Sequence, residues 1–202
     1  MPDIFCDENH QYTVDGKYRV PSVTQVIKRV YDPLKNANLE ALERNRKFGS
    51  NIHRVIHLYE SGQPLVPEDP TKQYSNIVLK YLQQWIWLKK HKNITVFGSE
   101  LPVYSKMYGY AGTLDIAATI GKRKGIIDVK TGADDPTMKL QTGGYKQAAN
   151  ETYPKDKIED RYVVVLTGEG YPKLVPHTNY FDVSVFISSV QVYNFMIREG
   201  LK

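Results

Sequence analysis

The chain has 202 residues, 41% hydrophobic and 24% charged, with a formal net charge of +5. That size and balance suit one soluble domain with a real core. They exclude a membrane-spanning helix, since no run approaches the roughly 18 apolar residues needed. The sole cysteine, Cys6, excludes an intrachain disulfide and, within one chain, a cysteine-ligated iron–sulfur cluster or Cys-rich zinc site. It fits a reducing compartment. The first residues carry neither a basic n-region nor an apolar h-region, so no secretory signal is expected and a cytoplasmic location is.

In chain order, residues 11–14 and 18–20 flank Asp15-Gly16 and predict a β-hairpin. Pro21-Ser22 ends it, and Ser22 can N-cap a helix over 23–30. Asp32-Pro33 breaks that helix. A long helix is predicted over about 38–59, with Gly49 inside it, until Ser61-Gly62-Gln63-Pro64 stops it. Residues 64–70 read as a loop. Apolar residues at helical spacing, from Ile77 to Leu88, then predict a helix over 72–90.

The pattern next switches to strands at 94–104, 110–120 and 124–131, the last two joined by a turn at Gly121-Lys122-Arg123-Lys124. Asp134-Asp135-Pro136 opens a helix through about 150. Residues 161–166 predict a buried central strand. A turn at 167–170, a short strand at 173–176 and a helix from Phe181 to about 198 complete the chain. This order predicts an α/β (α+β) fold, a mixed central sheet flanked by helices. The N-terminal hairpin and helices occupy about 1–92, and the main sheet with its helices about 93–202.

The positive charge is partly local. Lys28, Arg29, Lys35, Arg44, Arg46, Lys47 and Arg54 face only Asp32, Glu40 and Glu43 across the same segment. Such a segment attracts polyanions such as nucleic acid, and it equally makes a solvated helix surface.

Gly112-Thr113-Leu114-Asp115 precedes Asp128-Val129-Lys130-Thr131, which ends the apolar run Gly125-Ile126-Ile127. If the two strands pair, Asp115 and Asp128 can face one another, and their repulsion favours a hard divalent cation such as Mg²⁺ or Mn²⁺. Such an ion polarises a phosphate and activates water. Lys130 shares the face of Asp128 and could orient that water or stabilise transition-state charge. Val129 points into the core, leaving its carbonyl as a further ligand. A structural ion pair is the other reading of so short a motif.

His53, one helical turn beyond Gly49, could add a nitrogen ligand, and the glycine would let another backbone approach. His57 is a helix-face neighbour rather than a ligand, with no Glu placed for an HExxH zinc site. Glu100 either approaches the site or bonds at a strand edge. Gln141 and Tyr145 share a helix face. Gln141 could bond a phosphate or base and Tyr145 could stack on a base, or both could simply cap and pack. Gly143-Gly144 inside a helix costs roughly 1 kcal/mol each relative to alanine. A local reason is therefore expected, such as close approach of the sheet or a ligand.

Taken together, Gly49 to His53 (G-x-x-x-H), Gly112 to Asp115 (G-x-x-D), Asp128 to Lys130 (D-x-K) and Gln141 to Tyr145 (Q-x-x-x-Y) resemble the PD-(D/E)XK nuclease superfamily. The branch is that of RecB-like stand-alone exonucleases, phage-type and mitochondrial genome maintenance-type. Val20-Pro21-Ser22-Val23-Thr24 also looks like their N-terminal signature. The resemblance covers about residues 20–150. It implies a restriction-endonuclease-like core with a central antiparallel hairpin. It implies His53, Asp115, Asp128 and the Val129 carbonyl as ligands of Mg²⁺ or Mn²⁺, Lys130 as catalytic lysine, and Gln141 and Tyr145 on the DNA side.

The expected activity is metal-dependent exonucleolytic hydrolysis of DNA, in recombination, repair or phage DNA processing. An endonuclease or a catalytically weak DNA-binding protein on the same fold is the alternative. The partners expected are DNA ends and a recombination or single-strand-binding protein, in a bacterial or phage-infected cell, with no membrane. The basic helices of 28–54 and Lys122-Arg123-Lys124 would hold the backbone. Some relatives carry an iron–sulfur cluster, which one cysteine cannot support. The chain has no G-x-x-x-x-G-K-[ST] loop, so no ATP is expected. Oligomeric state is not readable.

Overall fold

The computed structural model describes residues 1–7, 11–32, 38–67, 73–132 and 135–201. Pro33, Lys35, Lys72, Asp134 and the end of the 64–70 loop lie outside them.

A small antiparallel sheet opens the chain: β1 (Ile4–Cys6), β2 (Tyr12–Val14) and β3 (Tyr18–Val20). The predicted hairpin is β2–β3, and β1 is an addition too short to show a period. Its turn holds Asp15 and Gly16 at φ of 52° and 62°, left-handed values suited to Asp and Gly. Ser22 caps α1 (Val23–Val30) in a full capping box: its Oγ accepts from Gln25 N at 3.0 Å, while Ser22 N donates to Gln25 Oε1 at 2.9 Å. Asn38 caps α2 (Leu39–Glu60), and Ser75 caps α3 (Asn76–His91).

The main sheet has five strands in chain order: β4 (Ile94–Ser105), β5 (Tyr110–Ile120), β6 (Arg123–Lys130), β7 (Asp160–Val165) and β8 (Lys173–Pro176). Every pairing is antiparallel except β6–β7, which is parallel and crossed over by α4 (Thr137–Thr152). The middle strand is therefore β6. The segment predicted as central, β7, stands beside it, its apolar run explained by neighbours on both sides. Gly121 (φ 64°) and Lys122 alone make the β5–β6 turn, with Ile120 opposite Arg123. The last helix is α5 (Phe181–Arg198). No helix among the described residues is long and apolar enough to cross a membrane.

Alternation along β6 supplies two cores. Ile127 and Val129 join Ile52, Val55 and Trp85 from α2 and α3 on one face. Ile126 joins Val26, Ala148 and Phe186 from α1, α4 and α5 on the other.

The paired glycines of α4 answer to α5, not to the sheet or a ligand. A Cβ on Gly143 would come 3.2 Å from the Asp182 carbonyl oxygen, and one on Gly144 2.7 Å from the Phe186 ring. Gly144→Ala should therefore cost about 1–3 kcal/mol of stability through overpacking, despite alanine's better helix propensity. Chemical denaturation measures it, and an unchanged or raised midpoint would contradict this packing.

Candidate metal centre

The site lies where alternation fails. Leu114 on β5 packs with the α1/α4/α5 core, yet Ile116, two residues on, packs with α2/α3. Asp115 sits at that reversal. On the neighbouring strand Ser99 pairs with Ile116 and Leu101 with Leu114, and Glu100 between them has φ of 50°, rare for a non-glycine residue. This irregularity turns both carboxylates toward α2.

There His53 Nδ1 stands 3.3 Å from Asp115 Oδ1. His53, Glu100 and Asp115 each offer a ligand atom, all within 4.8 Å of one another. Asp115 Oδ2 accepts from Val129 N at 2.6 Å, which ties β5 to β6 just past their last ladder pair, Ile116–Ile127. The two aspartates thus do not face each other in a plain ladder. Asp128, only 2% exposed, lies on the α4 side of β6, and its Oδ2 meets Lys130 Nζ at 2.6 Å. Apart from that ammonium, neither Asp128 oxygen has a hydrogen-bond donor among the described residues.

Buried charge sets the electrostatics. Burial disfavours the His53 imidazolium, but Asp115 beside it outweighs this and raises the group to about 9. Burial, then Asp115, lifts Glu100 to about 7 against the pull of His53. Burial lifts Asp128 to about 6, aided by Asp115 and opposed by Lys130. Burial also acts to raise Asp115, yet His53, Lys130 and the Val129 N–H together hold it below the usual carboxylate range. Lys130 is raised: burial works against its charge, and Asp128 and Asp115 prevail.

The remaining predicted residues divide. Gln141 Nε2 donates to the Tyr145 hydroxyl at 3.3 Å. The Tyr145 ring is 7% exposed and packs so closely on β5 that a Cβ at Gly112 would come 2.6 Å from it. Burial, then Asp128 and Asp115, raises its hydroxyl well above the phenol range. Among the described residues no backbone from outside its helix comes near Gly49, where a Cβ would meet only Thr131 Oγ1 at 3.9 Å. His57 stays outside the cluster, its Nδ1 2.7 Å from Ser99 Oγ.

Of the basic residues, Lys28, Arg44, Arg46, Lys47 and Arg54 are exposed. Arg46 and Lys47 line a 440 Å³ hollow beside Gly49 with Ser50, Asn51 and Glu43, the last paired to Lys47 at 3.3 Å. Lys122-Arg123-Lys124 does not belong with them. The turn is at the opposite end of β6 from Asp128, and Arg123 and Lys124 are paired to Glu159, Asp160 and Asp156. A 420 Å³ cavity beside them is lined by Arg123, Lys146, Glu159, Asp160 and Arg161 and includes none of His53, Glu100, Asp115 or Asp128. Sequence reasoning did not connect Tyr12 to the site: its hydroxyl lies 2.9 Å from Thr113 Oγ1, across a separation that no local pattern spans.

The fold is an α/β restriction-endonuclease-like core, a mixed five-stranded sheet flanked by helices. The crystal structure of a "putative exonuclease" from Eubacterium rectale shares it, with a TM-score of 0.50 and 11% identity over 92% of this chain and 77% of that one. The crystal structure of SSO0001 is 15% identical over 73% of this chain and 74% of its own, with a TM-score of 0.37, too low to bear on the fold. No family model matches the chain, and no curated protein does.

Proposed function

We propose that this protein is a metal-dependent DNA exonuclease of the PD-(D/E)XK, RecB-like kind, hydrolysing phosphodiester bonds from DNA ends. The observation that carries the reading is the cluster of His53, Glu100 and Asp115, with the buried Asp128–Lys130 pair on the next strand close enough for its charges to act on Asp115. The name of the Eubacterium rectale structure points the same way.

The donors fit a hard divalent ion: carboxylate oxygens, one imidazole, and the two Asp128 oxygens that, among the described residues, no group but Lys130 satisfies. His53, Asp115 and Asp128 would hold Mg²⁺ or Mn²⁺, with Glu100 and the Val129 carbonyl as further oxygen donors. A bound ion of this type polarises a phosphoryl oxygen and lowers the pKa of water. Asp115 is held in place by the Val129 N–H and His53, so its free lone pairs are preorganised. Lys130, oriented by Asp128, presents positive charge where negative charge develops on the phosphoryl group. Gln141, which donates to the Tyr145 hydroxyl, would bond the DNA backbone, while the buried Tyr145 ring would brace it rather than stack on a base.

The test is digestion of end-labelled linear DNA, single- and double-stranded, beside a covalently closed circle, in Mg²⁺, Mn²⁺ or EDTA. Label should be lost from linear DNA only with metal, and the circle should stay intact. Nicking of the circle would make the enzyme an endonuclease. DNA binding without cleavage in any metal would overturn the nuclease reading.

A further inference from the structure

The turn between β7 and β8 leaves the sheet at the level of the lysine. Lys130 pairs with Val165, and Val165 with Lys173, so the base of the turn lies two strand spacings, roughly 10 Å, from Lys130. The turn is held firmly. Gln84, buried on α3, accepts from Thr167 N and Gly168 N, each at 3.0 Å, and donates to the carbonyls of Glu169 (3.1 Å) and Gly170 (3.0 Å). Gly168 has φ of 73° and lies on Tyr81 so closely that a Cβ would come 2.5 Å from the ring.

This seat delivers Tyr171 to the outer face of α3. Its ring centroid is 4.9 Å from that of Trp87, which stacks in turn on His91 at 3.8 Å and 21°. A single exposed ring is ordinary, but rings in contact with one another on an outer face make an exposed patch. Here Tyr171, just past a turn whose backbone Gln84 fixes, is 76% exposed, and Trp87, on α3, is 37% exposed. Exposed lysines flank the rings: Lys80 and Lys90, seven before and three after Trp87 and so on its side of the helix, and Lys173, two beyond Tyr171. Rings that offer π-faces among ammonium groups suit a nucleic acid strand whose bases are unpaired, since a duplex keeps its base faces stacked internally.

We propose that Trp87 and Tyr171 form a stacking platform for unpaired bases of single-stranded DNA, a few nucleotides from the site of cleavage beside Lys130. The assignment rests on the nuclease reading and adds that the enzyme grips a single strand beside the cut.

Trp85, the other tryptophan of the chain, is 0% exposed with its Nε1 donating to Glu60 at 2.7 Å, so quenching of intrinsic fluorescence reports on Trp87. Wild type, Trp87→Phe, Trp87→Ala and Tyr171→Ala would be titrated in EDTA with a labelled oligothymidylate and with a duplex. Anisotropy would follow binding, and cleavage of the same oligonucleotide would be assayed in Mg²⁺. The platform predicts quenching in wild type and none in Trp87→Phe. It also predicts single-strand affinity at least about tenfold weaker in both alanine variants, with duplex affinity unchanged. Single-strand binding of equal strength in all four proteins, without quenching, overturns the platform and leaves cleavage standing. Absence of both binding and cleavage overturns the nuclease reading with it.

Discussion

Asp128→Asn should reduce metal-dependent DNA cleavage by about a thousandfold or more, and Lys130→Ala by about a hundredfold or more. Asparagine keeps the shape of a side chain that is 2% exposed, so the loss would be of charge and ligand rather than of packing. Cleavage of end-labelled DNA in Mg²⁺ gives the rates, and circular dichroism with thermal melting confirms that each variant is folded. A folded Asp128→Asn protein with substantial activity would remove the carboxylate from the mechanism and the proposed site with it.

The second large effect concerns pH. Without metal, the protein should become less stable as pH rises from about 5 to 9, and Mg²⁺ should restore more stability the higher the pH. His53 is raised from 6.5 to about 9, so its contribution is complete below 6.5 and is lost as pH climbs through 9. Glu100 rises from 4.5 to about 7 and Asp128 from 3.8 to about 6. Each favours the folded state while protonated and withdraws that support as pH passes its folded value. Asp115 is shifted the other way, and its opposite effect falls at acid pH, around and below its ordinary 3.8. A divalent ion binds the deprotonated set and therefore competes with all three protons. Melting temperatures in EDTA should fall by on the order of 5 °C or more across that range. The Mg²⁺ increment should be larger at pH 8 than at pH 6. A flat or rising curve in EDTA would refute this charge arrangement.

Much of this site was legible because its parts obey local rules. Ser22 with Gln25 is a capping box, and Asp128 and Lys130 share a strand face by period alone. His53 and Gln141-Tyr145 were visible as helix-face residues at fixed spacing. What escaped depends on distant contacts. The left-handed Glu100 sits in a strand pattern that gives no sign of a reversal, so its turn toward Asp115 was not predictable. Gly143 and Gly144 had no visible cause, because the cause is the backbone of Asp182 and the ring of Phe186 some forty residues on. Lys122-Arg123-Lys124 read as a free basic cluster because its acidic partners at 156–160 arrive from another segment.

The parallel pairing of β6 and β7 has a consequence for the unfinished chain. The β5–β6 hairpin can form from neighbouring residues, but the partner that closes its far side begins thirty residues after Lys130, at Asp160. During synthesis, β6 therefore waits as an open edge, the kind of surface along which nascent chains aggregate. Charged side chains pointing inward from an edge strand oppose such pairing, because a second strand would have to bury them. Asp128 and Lys130 supply that deterrent until α4 crosses over and β7 docks. The residues proposed for cleavage also guard the half-made sheet against its own copies.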